Sequence, residues 1–341
     1  YSWYDVFLYY AGLKFYDILS GRLSLGKSFY LNPEKTLERL PNLRGKGLKG
    51  GIVYHDGQFD DSRMAVALAE ESVSRGATVL NYFRVTGLLK DDSGKLCGVS
   101  ATDIVSGDSN EFHGKVVINA SGVFADSVSK LDNPEASASI KPSQGIHLVL
   151  DRSFLQGDSA IMIPKTEDGR VLFAIPWYGK IVVGTTDTPV NEISMEPKAL
   201  DMEVEFILRT ASLYLRKAPE RKDILSIFAG LRPLAADPSN PHATKEVSRR
   251  HKITVSGTGL ISVVGGKWTT YRRMAEETIN VAIKRGFISE KKCMTRHLVL
   301  SSPLSDGRLK VYGKSVHEIE KIIADNPSTG ALIHLELPYT K

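Results

Sequence analysis

Hydrophobic positions along the chain change their spacing several times, and each change predicts an element. Trp3, Phe7, Tyr10 and Lys14 recur at helical intervals inside an aromatic-rich opening, residues 1 to 25, which predicts a helix with one apolar side. Residues 31 to 50 carry Pro33, Pro41 and several glycines and read as a polar connection. Gly51-Ile52-Val53-Tyr54 then reads as a strand. Asp60 or Asp61 caps a helix whose apolar side is Met64, Leu68 and Val73, ended by Gly76. A strand over residues 77 to 85 follows, then two more around the turns Asp91-Asp92-Ser93-Gly94 and Ser106-Gly107-Asp108-Ser109.

From residue 140 the pattern becomes one of strands at 140–150, 160–164, 171–176 and 181–185, separated by Glu167-Asp168-Gly169 and Tyr178-Gly179-Lys180 turns. Leu200, Val204, Ile207, Leu208, Ala211 and Leu215 mark an amphipathic helix. Two places combine a buried apolar strand with small residues and then a helix. One is Lys115-Val116-Val117-Ile118-Asn119-Ala120-Ser121-Gly122. The other is Ile261-Ser262-Val263-Val264-Gly265-Gly266, with Thr269 and Thr270 opening the next helix. Small residues at the carboxyl end of a strand let a ligand approach the backbone. A last helix is expected at 316–324.

Composition narrows the class. The 341 residues are 42% hydrophobic and 24% charged, which describes an ordinary globular chain long enough for two domains. A net charge of +5, with dispersed Lys and Arg, argues against a nucleic-acid face. Cys97 and Cys293 lie far apart and form no metal or redox motif, in keeping with a reducing compartment. No apolar run approaches the roughly 20 residues that span a bilayer. The expectation is a cytoplasmic protein, or one held peripherally on the inner face of the cytoplasmic membrane. Its opening helix is either a core helix or one that lies on a membrane surface, where Trp and Tyr are also at home.

Gly45-Lys46-Gly47-Leu48-Lys49-Gly50 matches the G-x-G-x-x-G dinucleotide fingerprint in letters only, since no strand leads into it and a strand rather than a helix follows. His147 is the best candidate for a base, although a strand histidine is more often structural. Arg232, in Phe228-Ala229-Gly230-Leu231-Arg232-Pro233-Leu234, presents a planar fork suited to an oxyanion. Arg249 or Arg250 and Lys267 would add positive charge. Thr186 and Asp187 are accounted for by a turn.

The wording of these stretches is more specific than their pattern. Gly265-Gly266-Lys267-Trp268-Thr269-Thr270-Tyr271-Arg272 resembles the last flavin-contacting segment of FAD-dependent glycerol-3-phosphate dehydrogenases and α-glycerophosphate oxidases. Asn119-Ala120-Ser121-Gly122, Gly145-Ile146-His147, Gly184-Thr185-Thr186-Asp187, Ala229-Gly230-Leu231-Arg232-Pro233-Leu234 and the Tyr54 to Arg63 string are similar to the same family, in family order.

The resemblance implies an α/β chain (α+β overall): an incomplete two-dinucleotide-fold FAD domain with an inserted antiparallel-sheet substrate domain. Residues 51–135 and 251–290 would be FAD-domain portions, 136–250 the substrate unit, 1–50 a helical and linker segment, and 291–341 the start of a helical domain. It implies oxidation of sn-glycerol 3-phosphate to dihydroxyacetone phosphate, with electrons passing to quinone or oxygen. His147 would serve the substrate hydroxyl, and Arg232, Arg249 (favoured over Arg250) and Lys267 its phosphate. Ala120, Ser121, Gly122, Gly265, Gly266, Lys267, Trp268 and Thr269 would contact FAD. The family's upstream flavin fingerprint has no match here, so the chain is expected to be a fragment that holds FAD weakly and turns over poorly. Two other readings stay open: an amino-acid-oxidase-like flavoprotein, and a binding module without activity.

Overall fold

In the computed structural model Ser2 and Asp5 cap each other: the Ser2 hydroxyl accepts from the Asp5 N–H at 3.2 Å, and the Asp5 carboxylate accepts from the Ser2 N–H at 2.6 Å. They open helix α1 (Trp3–Ser20). The structure describes residues 2–164, 166, 169–236, 251–300, 308–335 and 337–341. Of the two alternatives for this helix, the core helix is not what forms: α1 has no fully buried residue. Its half-buried side includes Val6, Tyr9, Tyr10 and Leu13. Lys14 donates to the Ser28 carbonyl, and Asp17 accepts from the Ser28 N–H at 2.7 Å and its hydroxyl at 2.8 Å. Trp3, Phe7, Phe15 and Ile18 face outward, Trp3 62% and Ile18 75% exposed. Apolar residues run most of the way round this helix, so whichever side docks leaves aromatic surface in solvent.

Strand β1 (Phe29–Leu31), helix α2 (Pro33–Arg39) and strand β2 (Gly51–Val53) follow, with β1 and β2 antiparallel. Residues 45–50 lie in turns that lead into β2, so the spurious fingerprint has no strand–helix setting. Helix α3 (Asp61–Ser74) is capped by Asp60, which accepts from the Arg63 N–H at 3.0 Å, and Gly76 closes it at φ +88°. Met64 and Leu68 are half-buried as expected, whereas Val73 is exposed.

The strand expected over 77–85 begins only at Phe83. Val79 and Leu80 find no ladder partner among the described residues, and Tyr82, at φ +59°, turns the chain before pairing starts. From there β3 (Phe83–Lys90), β4 (Leu96–Asp103) and β5 (Ser109–His113) form an antiparallel meander through the two expected turns. Strand β6 (Ile118–Asn119) is shorter than its apolar run, and helix α4 (Ala125–Asp132) follows the Gly122–Phe124 turn.

The largest sheet comprises β7 (Ile140–Asp151), β8 (Ile161–Ile163), β9 (Leu172–Trp177), β10 (Lys180–Gly184), β11 (Thr188–Pro189) and β12 (Ile224–Ala235). Strand β7 is central: β10 and β11 pair in succession along one edge and β12 along the other, all antiparallel. The β9–β10 hairpin turns at Tyr178 (φ +43°) and Gly179 (φ +71°), the handedness that suits a two-residue hairpin. Glu167 and Asp168, from the other expected turn, lie outside the described residues. Helix α5 (Asp201–Tyr214) lays Val204, Ile207, Leu208 and Ala211 on Ile146, Leu148, Leu150, Ile181 and Val183 of the sheet, and these form the main core.

The chain then returns through β13 (His251–Val255) and β14 (Ile261–Gly265), followed by α6 (Tyr271–Lys284). Strand β14 pairs antiparallel with β13 and parallel with β6. Ala125, Ile140 and Val264 pack together with Ala235, joining this small sheet to one end of the large one. Helix α7 (Val316–Asp325) lies in the last part of the chain, at the position expected.

Candidate active site

Alternation along β7 puts Ile146, Leu148 and Leu150 into the core and Ser143, Gly145 and His147 onto the opposite face. Directly opposed residues of an antiparallel pair share a face. Phe228, Gly230 and Arg232 of β12, opposite His147, Gly145 and Ser143, therefore join it, as does Gly184 of β10. The sheet alone thus brings His147 and Arg232 together.

Glycines make room for them. An added Cβ on Gly184 would lie inside 3.0 Å of the His147 ring, and one on Gly145 would lie inside 3.0 Å of the Arg232 guanidinium and the Thr185 hydroxyl. The His147 ring stacks on Phe228 with centroids 5.0 Å apart and planes at 14°. Burial, and then the nearby Arg232 charge, press the His147 pKa down to about 4. The imidazole is neutral at pH 7 and free to accept a proton.

A bulge braces Arg232. Gly184 pairs with His147 and Thr188 with Gln144, so three residues, Thr185 to Asp187, stand opposite only Gly145 and Ile146. Thr185 and Asp187 turn to the site face. The Arg232 Nη2 donates to the Thr185 hydroxyl at 3.0 Å and its Nη1 to Asp187 at 3.4 Å; Ser143 donates to the same Asp187 oxygen. Asp187 and Thr185 thus hold the guanidinium, which for Asp187 is a role finer than the turn that the sequence suggested. Sequence reasoning missed β12 as a strand and Ser143 as a participant. The alternation in Ile227-Phe228-Ala229-Gly230-Leu231-Arg232 was the available signal, obscured by its two small residues and by Pro233.

Lys267 is exposed at the opening of α6, where its carbonyl accepts from the Thr270 hydroxyl at 2.9 Å; it makes no hydrogen bond or ion pair to His147 or Arg232. Arg249 and Arg250 lie outside the described residues. The Tyr54 to Arg63 string serves as a clasp: the Asp60 carboxylate also accepts from the hydroxyls of Tyr178 at 3.1 Å and Tyr339 at 3.4 Å, and Arg63 donates to the Val311 carbonyl at 3.1 Å.

Because β6 and β14 are parallel, their carboxyl ends point the same way, and both end in small residues. Ala120 and Ser121 are exposed, and Gly122, at φ +59°, has no atom within 4 Å of where a Cβ would sit. Gly265 and Gly266 have φ of +75° and +78° beside them, ahead of exposed Trp268 and Thr269. Gly266 also has an internal cause, since a Cβ there would run into Met274. Two adjoining strand ends in small residues, with open space at Gly122, fit the flat edge of a flavin, the setting in which open α/β sheets take cofactors. Strand β12 packs against the Gly122–Phe124 turn, so this edge adjoins the His147 and Arg232 face.

That combination defines a class. The family described as FAD dependent oxidoreductase matches residues 7–272, and the chain belongs to it. Among its relatives, the probable mitochondrial glycerol-3-phosphate dehydrogenase of Caenorhabditis elegans is 40% identical over 88% of this chain and 42% of its own length. The mitochondrial glycerol-3-phosphate dehydrogenase of Schizosaccharomyces pombe is 36% identical, covering 100% of this chain and 56% of its own length. The structure of the glycerol-3-phosphate dehydrogenase from Bacillus halodurans complexed with FAD superposes with a TM-score of 0.68 at 35% identity, over 78% of this chain and 51% of that one. The chain therefore spans about half the length of the curated relatives it matches.

Proposed function

We propose that this chain carries the substrate site and part of the cofactor site of an FAD-dependent enzyme that oxidises sn-glycerol 3-phosphate to dihydroxyacetone phosphate. The observation that carries the reading is the juxtaposition of a neutral, half-buried His147 with a braced Arg232 beside two open strand ends. The names of the relatives supply the substrate. Residues 136–250 form the substrate unit, 51–135 and 251–290 the cofactor-facing portions, 1–50 a helical and linker segment, and 291–341 the start of a helical region.

The Arg232 guanidinium binds a phosphate oxygen through its fork, assisted by Arg249 and Lys267 when substrate is present. An imidazole nitrogen of His147 takes the hydroxyl proton as the carbon–hydrogen bond breaks. Ala120, Ser121, Gly122, Gly265, Gly266, Lys267, Trp268 and Thr269 would hold FAD, which when bound supplies the two-electron acceptor. Electrons pass onward to quinone or oxygen. The outward aromatic side of α1 supports peripheral membrane contact and hence quinone. Among the described residues, no helix is long and apolar enough to cross a membrane.

Two measurements test this. In the chain as it stands, glycerol 3-phosphate should move the His147 ring proton resonances in an NMR titration, and glycine should not. In the FAD-loaded protein, anaerobic glycerol 3-phosphate should bleach the flavin band. A response to glycine in place of glycerol 3-phosphate would transfer the site to an amino-acid oxidase, whose substrates need one carboxylate anchor. No response to either would leave a binding module.

A further inference from the structure

Thr185 and Asp187 face Arg232, but Thr186 between them turns through the sheet to the other side. It is 1% exposed; its Oγ1 accepts from the Ile146 N–H at 3.0 Å and donates to Glu203 Oε1 at 2.8 Å. The same carboxylate accepts from the Thr188 hydroxyl at 2.7 Å, the Gln144 Nε2 at 2.7 Å and the Leu200 N–H at 3.0 Å. Glu203 is 2% exposed, and all four of these donors are neutral.

Among the described residues no cation pairs with this carboxylate, and burying one on neutral donors alone is costly. Burial pushes the Glu203 pKa up, but the Leu200 N–H and the three side-chain donors pull it down and prevail, so the group is ionised. Capping of α5 is the plain structural role, and the Leu200 bond fulfils it. The other three bonds do something else. They tie α5 to Gln144 on β7, to Thr188 on β11 and to the middle of the bulge, at the point where the sheet ladder is interrupted. A bulge leaves its extra residue without a ladder partner, and here the Thr186 side chain supplies the fixation that the ladder does not.

We propose that Glu203 is a positioning residue for the candidate site: through Thr186 it fixes the bulge whose opposite face, Thr185 and Asp187, holds the Arg232 guanidinium. Adjacent side chains thereby act on opposite sides of the sheet, and a carboxylate on the α5 side sets the place of a cation on the other. The device also restrains the guanidinium before any anion arrives, which lowers the ordering cost of binding. The kinetic part of the test rests on the glycerol phosphate reading; the positioning part does not.

The test uses Thr186→Val, which keeps the branched shape and deletes the hydroxyl, Thr186→Ser, which restores it, and Glu203→Gln. The first readout is the His147 titration followed by NMR, which senses the Arg232 charge without any substrate. The second is the split between KM and kcat for glycerol 3-phosphate in the FAD-loaded protein. The expected result is that T186V and E203Q move the His147 pKa upward and raise KM about ten-fold, with a smaller change in kcat, the effect of loosening one charge-assisted contact. T186S should return both to normal. A folded T186V with an unaltered His147 titration and KM would overturn the proposal. So would a folded E203Q with an unaltered His147 titration, should T186V fail to fold. A wild-type flavin that ignores glycerol 3-phosphate while T186V still shifts His147 would sink the substrate reading and leave the positioning role standing.

Discussion

At Gly184 an added Cβ would lie inside 3.0 Å of both the His147 ring and the Ile146 carbonyl, whereas at Gly122 it would meet nothing within 4 Å. Both glycines sit where a strand meets a functional turn, yet they are glycine for different reasons. On the large sheet the chain's own catalytic candidates fill the space, and each is braced: His147 by Phe228, Arg232 by Thr185 and Asp187. Beyond the end of β6 the backbone at Gly122 is left uncovered, which suits a flat partner supplied from outside. On the proposed reading, the substrate half is preorganised by its own packing, and the cofactor half would be completed on binding. Preorganised groups lose little on binding and tolerate little change; an open edge behaves the opposite way.

The largest expected effect falls on the braced half. His147→Asn should lower kcat by about 10²- to 10⁴-fold, as loss of a positioned base does, with KM little changed in steady-state assays. A rise confined to KM would make the histidine a binding group. Gly184→Ala should come next, since the new methyl must displace the ring or the strand. Overpacking of this kind costs about 1–3 kcal/mol, read as a lower melting temperature together with reduced kcat. Unaltered melting and turnover would show that the ring does not rest on Gly184.

The titration of His147 sharpens the comparison further. Its folded pKa of about 4 lies below the ordinary value of 6.5. The stability it contributes is therefore complete above 6.5 and is lost as pH falls from 6.5 toward 4, because the unfolded chain takes up the proton first. Turnover in the wild type should hold down to about pH 5. Arg232→Ala removes the second cause of the depression and should move the His147 titration upward. A titration that stays in place would mean that burial alone sets it.

The smallest effect belongs to Gly122→Ala. Space is available, so only the positive φ is strained, at about 1 kcal/mol. Thermal unfolding should change by a few degrees, while FAD binding followed by fluorescence should weaken more than stability does. Equal losses in stability and FAD binding would place Gly122 with the internally packed glycines and erase the contrast between the halves.

Legibility in the sequence followed how local each signal was. Asp60 as a cap, Gly76 as a stop, the Tyr178-Gly179 turn and the apolar stripe of α5 act within a few residues, and all were visible before the fold. Strand β12 was not, because small residues at 229 and 230 and Pro233 hide its alternation, and it is held by pairing with β7, some 80 residues earlier. The strand expected at 77–85 failed in the opposite sense: its residues favour a strand but have no ladder neighbour among those described. The α1 helix was legible as a helix but not in what it faces, since its apolar residues encircle it.

For the site, the chain by itself determined the identities: a histidine two residues after Gly145, an arginine before Pro233, small residues at two strand ends, and a wording similar to one family. Their common face, the bulge that braces Arg232, and the depressed His147 pKa came only from tertiary structure. Each depends on which strands lie side by side, and a strand's face and register are fixed by its neighbours. Glu203 illustrates the limit. In the sequence it is one acid on an ordinary amphipathic helix, and only the crossing of α5 over β7 and the interrupted β10–β11 edge makes it the anchor of the opposite face.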